Sequence, residues 1–136
     1  MRLRKIIVGT WDVLAETDDC GRCELQAELE ALFDARKTKA TAAGFYSFWR
    51  HIPAEGPRKL GTDIYHQLDS ADEIYEFIKG DYRVLCFQVR GRVILCSHLM
   101  RKKSQKTPRR EIDRAKGLRK AYLAAEKANE LIVEEE

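Results

Sequence analysis
Between Glu73 and Leu99 the chain carries three strand-length segments in close succession, EIYEFI, YRVLCFQV and RVILCSHL, parted by Lys79-Gly80-Asp81 and Arg90-Gly91. β-Branched and aromatic residues dominate these segments, and turns this short make successive strands run back alongside one another. Residues 73–99 are therefore expected to form an antiparallel meander to which the rest of the chain is attached. The charge pattern around it is uneven. Residues 79–122 hold fourteen Lys plus Arg against three Asp plus Glu, whereas residues 1–78 hold ten against fourteen and residues 123–136 one against five. A formal net charge of +3 thus conceals a cationic stretch. Such a surface on a small sheet-plus-helix unit suits a polyanion, with nucleic acid the leading candidate.

The remaining segments supply the partners of the meander. LRKIIVGTW, residues 3–11, contains a short β-branched run that reads as a first strand, ended by the polar AETDDCGR stretch. From Cys23 to Thr41, Leu25, Leu29, Leu32 and Phe33 recur at helical spacing, which predicts an amphipathic helix. Gly44 interrupts it, and FYSFWRHI, from Phe45 to Ile52, reads as a second helical piece whose aromatics cover the core. Pro53, Gly56, Pro57 and Gly61 punctuate the connection to the meander. Beyond the meander, Thr107-Pro108 suits a helix start, and Ile112, Ala115, Leu118, Tyr122 and Ala125 mark an apolar stripe. The order β-α-α-β-β-β-α predicts an α+β domain over residues 1–136, with helices on one side of a small antiparallel-rich sheet and a frayed acidic tail from about residue 130.

Several function classes are disfavoured at this level. No apolar run approaches the roughly 20 residues of a membrane span, and MRLRKIIVGTWD has too short an apolar core for a signal peptide, so the cytoplasm is the default expectation. Cys86 and Cys96 fall inside apolar strands, where a thiol behaves as a small buried hydrophobe. Cys20-Gly-Arg-Cys23 has no second paired motif to complete a zinc site, and it follows an acidic loop where a thioredoxin-type redox pair would follow a strand. His51, His66 and His98 are scattered.

The succession IYEFIKGDYRVLCFQVRGRVILCSHLMRKKSQKTPRREIDRA resembles the C-terminal half of the RelE/HigB superfamily of toxin–antitoxin toxins, in particular its phage-derived, HigB-like branch. The KKSQKTP segment directly after a hairpin bearing YR carries the resemblance, which covers residues 57–122 and extends to the earlier segments by topology alone. It implies a compact sheet with flanking helices that cuts mRNA on the ribosome by attack of a ribose 2′-hydroxyl on its own 3′-phosphate, with neither metal nor cofactor. Such chemistry needs cations where charge builds up on the phosphate, together with a proton acceptor and donor. The resemblance assigns the first of these roles to Arg83, whose guanidinium can clamp phosphate oxygens.

Arg101, Lys102, Lys103 and Lys106 match the family's basic loop, with Arg101 and Lys103 placed in the catalytic set and Lys102 and Lys106 on the RNA. His98 is a candidate proton carrier, because an imidazole titrates near neutrality, and equally a structural histidine. Lys79, Tyr82, Arg109, Arg110 and Tyr122 complete the candidate RNA-contacting set, the two tyrosines also fitting a core. Two positions depart from the family pattern. Ile78 stands where the branch's YELR motif has an arginine, and Glu76 stands near where RelE itself carries a lysine.

The expected partners are mRNA, ribosomal RNA and a helix-turn-helix antitoxin. Two other functions remain open on the residues. One is a ParE-like inhibitor of a topoisomerase, which needs no catalytic residues. The other is a non-catalytic RNA-binding phage accessory protein.

Overall fold
A computed structural model describes residues 1–102 and 106–134. Ten elements follow one another: β1 (Arg2–Ile7), β2 (Asp12–Thr17), α1 (Glu24–Asp34), α2 (Lys39–Arg50), β3 (Tyr65–Asp69), β4 (Ile74–Lys79), β5 (Tyr82–Val89), β6 (Val93–Arg101), α3 (Arg109–Lys127) and β7 (Ile132–Glu134). All the strands join one sheet in the order β3-β4-β5-β6-β2-β1-β7. Neighbours are antiparallel except at β2–β6 and β1–β7. This is the α+β class that the sequence predicts.

The expected meander is present as β4-β5-β6, with a two-residue turn at Gly80-Asp81 in which Gly80 takes the left-handed backbone that a tight hairpin requires. Three strands had not been expected. β2 lies where AETDDCGR had been read as the end of a strand, β3 lies in the connection after Gly61, and β7 pairs in parallel with β1 where a frayed tail had been expected. Glu135 and Glu136 lie outside the described residues.

The first helix is shorter than its apolar spacing suggests. It stops at Asp34, and the Thr38 hydroxyl donates to the Leu32 carbonyl at 2.7 Å, satisfying one of the acceptors left over at a helix end. Gly44, read as a break, sits inside α2. A Cβ there would come within 2.7 Å of Lys79 Cε, so the glycine lets the Lys79 stem cross the helix.

The helices lie on both faces of the sheet, a correction to the one-sided packing expected. α1 and α2 bury Leu25, Leu29, Phe45 and Trp49 against Val13, Ala15, Phe77, Val84, Cys86, Ile94 and Cys96. The alternate strand positions, Leu3, Leu14, Ile74, Leu85, Phe87 and Leu95, pack with Ala115 and Tyr122 of α3. Both faces of β5 and β6 are therefore covered, which is why their apolar runs are continuous instead of alternating. No helix among the described residues is long and apolar enough to cross a membrane.

Candidate functional site
The period of two along each strand sorts the candidate residues by face. On β5, Arg83 shares a face with Leu85 and Phe87, both packed toward α3. Its cross-strand neighbours are Ile78 and Met100. One row further in, His66, Glu76, Leu85 and His98 stand opposite one another across β3, β4, β5 and β6. A register shift between Leu85 and Cys86 absorbs Ser97 and returns His98 to the α3 side of the sheet.

Arg83 is mostly buried, its side chain 12% exposed. Nη1 donates to the carbonyls of Gly80 at 2.7 Å and Tyr82 at 2.9 Å. Nε stands 3.9 Å from Glu76 Oε1, an ion pair without a hydrogen bond. Nη2, with two N–H donors, has no acceptor among the described residues. Glu76 is 2% exposed and has three partners: the Arg83 guanidinium, His66 Nδ1 at 3.3 Å, and the Thr107 hydroxyl, which donates to Oε1 at 2.8 Å. A buried carboxylate is tolerated only with such compensation. Thr107 immediately precedes Pro108 and α3, so its hydroxyl holds one end of the basic segment to β4. The other end is held at the turn, where the Lys102 amide donates to the Asp81 carbonyl at 2.7 Å.

The other predicted residues do not all gather here. Arg101, Tyr82 and Lys79 occupy the opposite face, that of α1 and α2. Arg101 lies over the Tyr82 ring at 5.9 Å and within 3.9 Å of Asp81 Oδ2, while Lys79 lies over Phe48 at 5.9 Å. Both cations share the β4–β5 end of the sheet with Arg83 but point away from it. Lys103 lies outside the described residues. Lys106, Arg109 and Arg110 are exposed, and Arg109 pairs with Asp113 at 3.2 Å.

Two candidates are enclosed. Tyr122 is buried under α3, edge-on to Phe87 at 6.3 Å with its hydroxyl donating to Glu126. His98 is 4% exposed, with Ser97 Oγ 2.8 Å from Nδ1 and Glu111 Oε1 3.3 Å from Nε2, the latter out of line for a hydrogen bond. Burial, reinforced by the Arg114 charge and only partly offset by Glu111, pushes its pKa down. The imidazole is thus enclosed between Ser97 and Glu111.

The cationic helix is also less open than its composition suggests. Lys116 Nζ is 2.8 Å from Asp69 and 3.5 Å from Asp72, Arg119 is 3.5 Å from Asp72, and Arg114 is 3.5 Å from Glu24. The Asp69 hydrogen bond raises the Lys116 pKa, and the same bond lowers that of Asp69. Arg110 and Lys120 have no carboxylate partner among the described residues.

Glu76, Thr107, His66 and Glu111 were not singled out as functional from the sequence, though an acidic residue inside the apolar run IYEFI was a signal for one of them. No group of three or more His, Cys, Asp or Glu among the described residues could hold a metal ion. Burial raises the pKa of Cys23, the reverse of what a reactive redox cysteine needs.

A family model described as phage derived protein Gp49-like matches residues 32–120, well over half of the chain. That family is part of the toxin–antitoxin-related RelE/HigB-like superfamily. Among curated proteins none matches.

Proposed function
The chain belongs to the phage-derived Gp49-like family, and from that premise we propose that it is the toxin of a toxin–antitoxin pair and acts as an mRNA endonuclease of the HigB kind. The carrying observation is local. The basic segment that leaves β6 is tied back at Asp81 and at Glu76 to the turn and strands that surround Arg83. These two ties support a reading in which Arg83 acts together with Lys102 and Lys106. In the proposed reaction the ribose 2′-oxygen bonds to the adjacent phosphorus and the bond from phosphorus to the 5′-oxygen breaks. The 2′-hydroxyl gives up a proton and the leaving 5′-oxygen gains one, so that a 2′,3′-cyclic phosphate and a 5′-hydroxyl result. The Nη2 donors of Arg83 meet the charge that develops on the phosphoryl oxygens, while Lys102, Lys106 and Arg110 neutralise flanking phosphates.

The test is induced expression of the wild-type protein and of Arg83→Ala, with growth and transcript 5′ ends followed. Wild type is expected to arrest translation and cut transcripts, and Arg83→Ala to lose about 10²–10³-fold of the cleavage while remaining folded by circular dichroism. Full cleavage by the variant would sink this reading.

A second reading is favoured by the burial of His98 and by the carbonyls that occupy Nη1 of Arg83. In that reading the same fold blocks a target such as a topoisomerase without cutting RNA. Induction would then raise a DNA-damage response with intact transcripts. In either case the antitoxin is a protein that binds this chain and silences it.

A further inference from the structure
We propose that Glu76 and Thr107 form a latch that positions Arg83 for RNA cleavage. This inference rests on the endonuclease reading above. Glu76 is the charge in the β4 apolar run that the fold has no packing reason to keep. It is 2% exposed in the middle of a sheet, between Ile74 and Ile78 on the same face. Its neighbours on that face are apolar, so the carboxylate is kept there by its polar contacts and not by packing.

The carboxylate's three contacts come from three different parts of the chain. His66 reaches it from the edge strand β3, Arg83 from β5, and Thr107 from the junction between the basic segment and α3. Oε1 alone serves both Arg83, at 3.9 Å, and Thr107, at 2.8 Å. The strand arginine and the end of the basic segment therefore meet at one buried atom. A displacement of Thr107 moves that atom's hydrogen bond, and with it the charge that the Arg83 Nε edge faces.

With Nη1 on the Gly80 and Tyr82 carbonyls and Nε toward Glu76, the guanidinium is fixed along two of its edges and presents Nη2. Glu76 and Thr107 touch neither RNA nor reacting atoms in this scheme. They are positioning residues, and Glu76 is best understood as an orienting carboxylate where a catalytic cation had been looked for.

Thr107→Val keeps the shape of the side chain and removes the hydroxyl; Thr107→Ser keeps the hydroxyl. The purified variants are compared with wild type and Arg83→Ala for thermal unfolding, for binding of a single-stranded RNA at low salt, and for cleavage of mRNA on ribosomes. Thr107→Val is expected to bind RNA as wild type does and to cleave about ten- to 10²-fold more slowly, the size of effect that a misplacement near 1 Å brings. Thr107→Ser is expected to recover most of the rate. Glu76→Gln, which keeps an oxygen for Thr107 but removes the charge facing Arg83, should also lose cleavage without losing RNA binding.

Wild-type cleavage by folded Thr107→Val or by folded Glu76→Gln, with Arg83→Ala inactive, overturns the latch and leaves the endonuclease reading standing. Losses that simply follow the melting temperature, with Thr107→Ser as poor as Thr107→Val, overturn it as well. Wild-type cleavage by Arg83→Ala overturns both proposals.

Discussion
The two faces of the sheet are built on different chemistry. On the α1–α2 face the core is aromatic: Trp49 lies 6.0 Å from Phe45, 5.5 Å from Tyr46 and 6.1 Å from Phe77, and Tyr65 stacks on Tyr75 at 4.5 Å. On the α3 face apolar packing shares the surface with Glu76, Arg83 and His98, and Lys116 pairs with Asp69 along its border. Burying ionised groups contributes little net stability, and removing one member of such a set leaves the others uncompensated. The first face holds the fold together. The second accepts an electrostatic cost to fix the direction of particular side chains.

The sharpest way to break that division is to attack the aromatic face. Trp49→Ala removes the largest fully buried side chain from the α1–α2 cluster and should cost about 3–5 kcal/mol. The loss would appear as a lower denaturant midpoint with an unchanged slope. The Arg83 variant, on the other face, leaves Glu76 buried without its cation and should also lose stability, but less than Trp49→Ala, because Arg83 meets Glu76 only at 3.9 Å and Glu76 keeps its contacts with His66 and Thr107. If Arg83→Ala proved the more destabilising of the two, the assignment of stability to one face and function to the other would fail.

Acid offers a finer probe of the α3 face. Burial holds the His98 pKa below its usual 6.5, so the unfolded chain takes up the proton more readily than the folded one. The stability that goes with a neutral His98 is complete above about pH 6.5 and is lost as pH falls through the lowered folded value. The groups facing the imidazole are Arg114, which adds to the shift, and Glu111 and Glu24, which oppose it. Melting temperature is expected to drop between pH 7.5 and 5.5 in wild type and to drop less in His98→Gln. Parallel pH profiles would mean that His98 keeps its proton equally well in both states, contrary to its enclosure.

Much of this was legible in the chain, and the parts that were not have physical reasons. The turns at Gly80 and Gly91 and the apolar stripe of α3 were strong local signals, so β4, β5, β6 and α3 lie close to where they are expected. β3 and β7 are edge strands of five and three residues whose pairing is decided by distant partners, and segments that short carry little periodicity of their own. The placement of α3 on the far face was in fact written in VLCF and ILC, unbroken apolar runs that only a sheet covered on both sides requires. At the candidate site, the motif singled out Arg83. The bond that joins Glu76, its ion-pair partner, to Thr107 spans 31 positions and depends on a strand register that no local pattern discloses.

The smallest expected effect concerns the cations themselves, and it separates those that are free to meet RNA from those the protein neutralises internally. Arg110 and Lys120 are exposed and lack carboxylate partners among the described residues, whereas Lys116 is held between Asp69 and Asp72. Each cation that meets a phosphate of single-stranded RNA releases counterion and should contribute about 0.7 to the slope of log affinity against log salt. Arg110→Gln and Lys120→Gln are each expected to flatten that slope by up to this amount. Lys116→Gln should leave it nearly unchanged and act on the β3–β4 turn instead, by removing the cation of Asp69 and leaving Asp72 to Arg119 alone. Equal slope changes for all three variants would show that RNA draws Lys116 out of its pairing, and that the charge of α3 is read as a whole and not through its unpaired members.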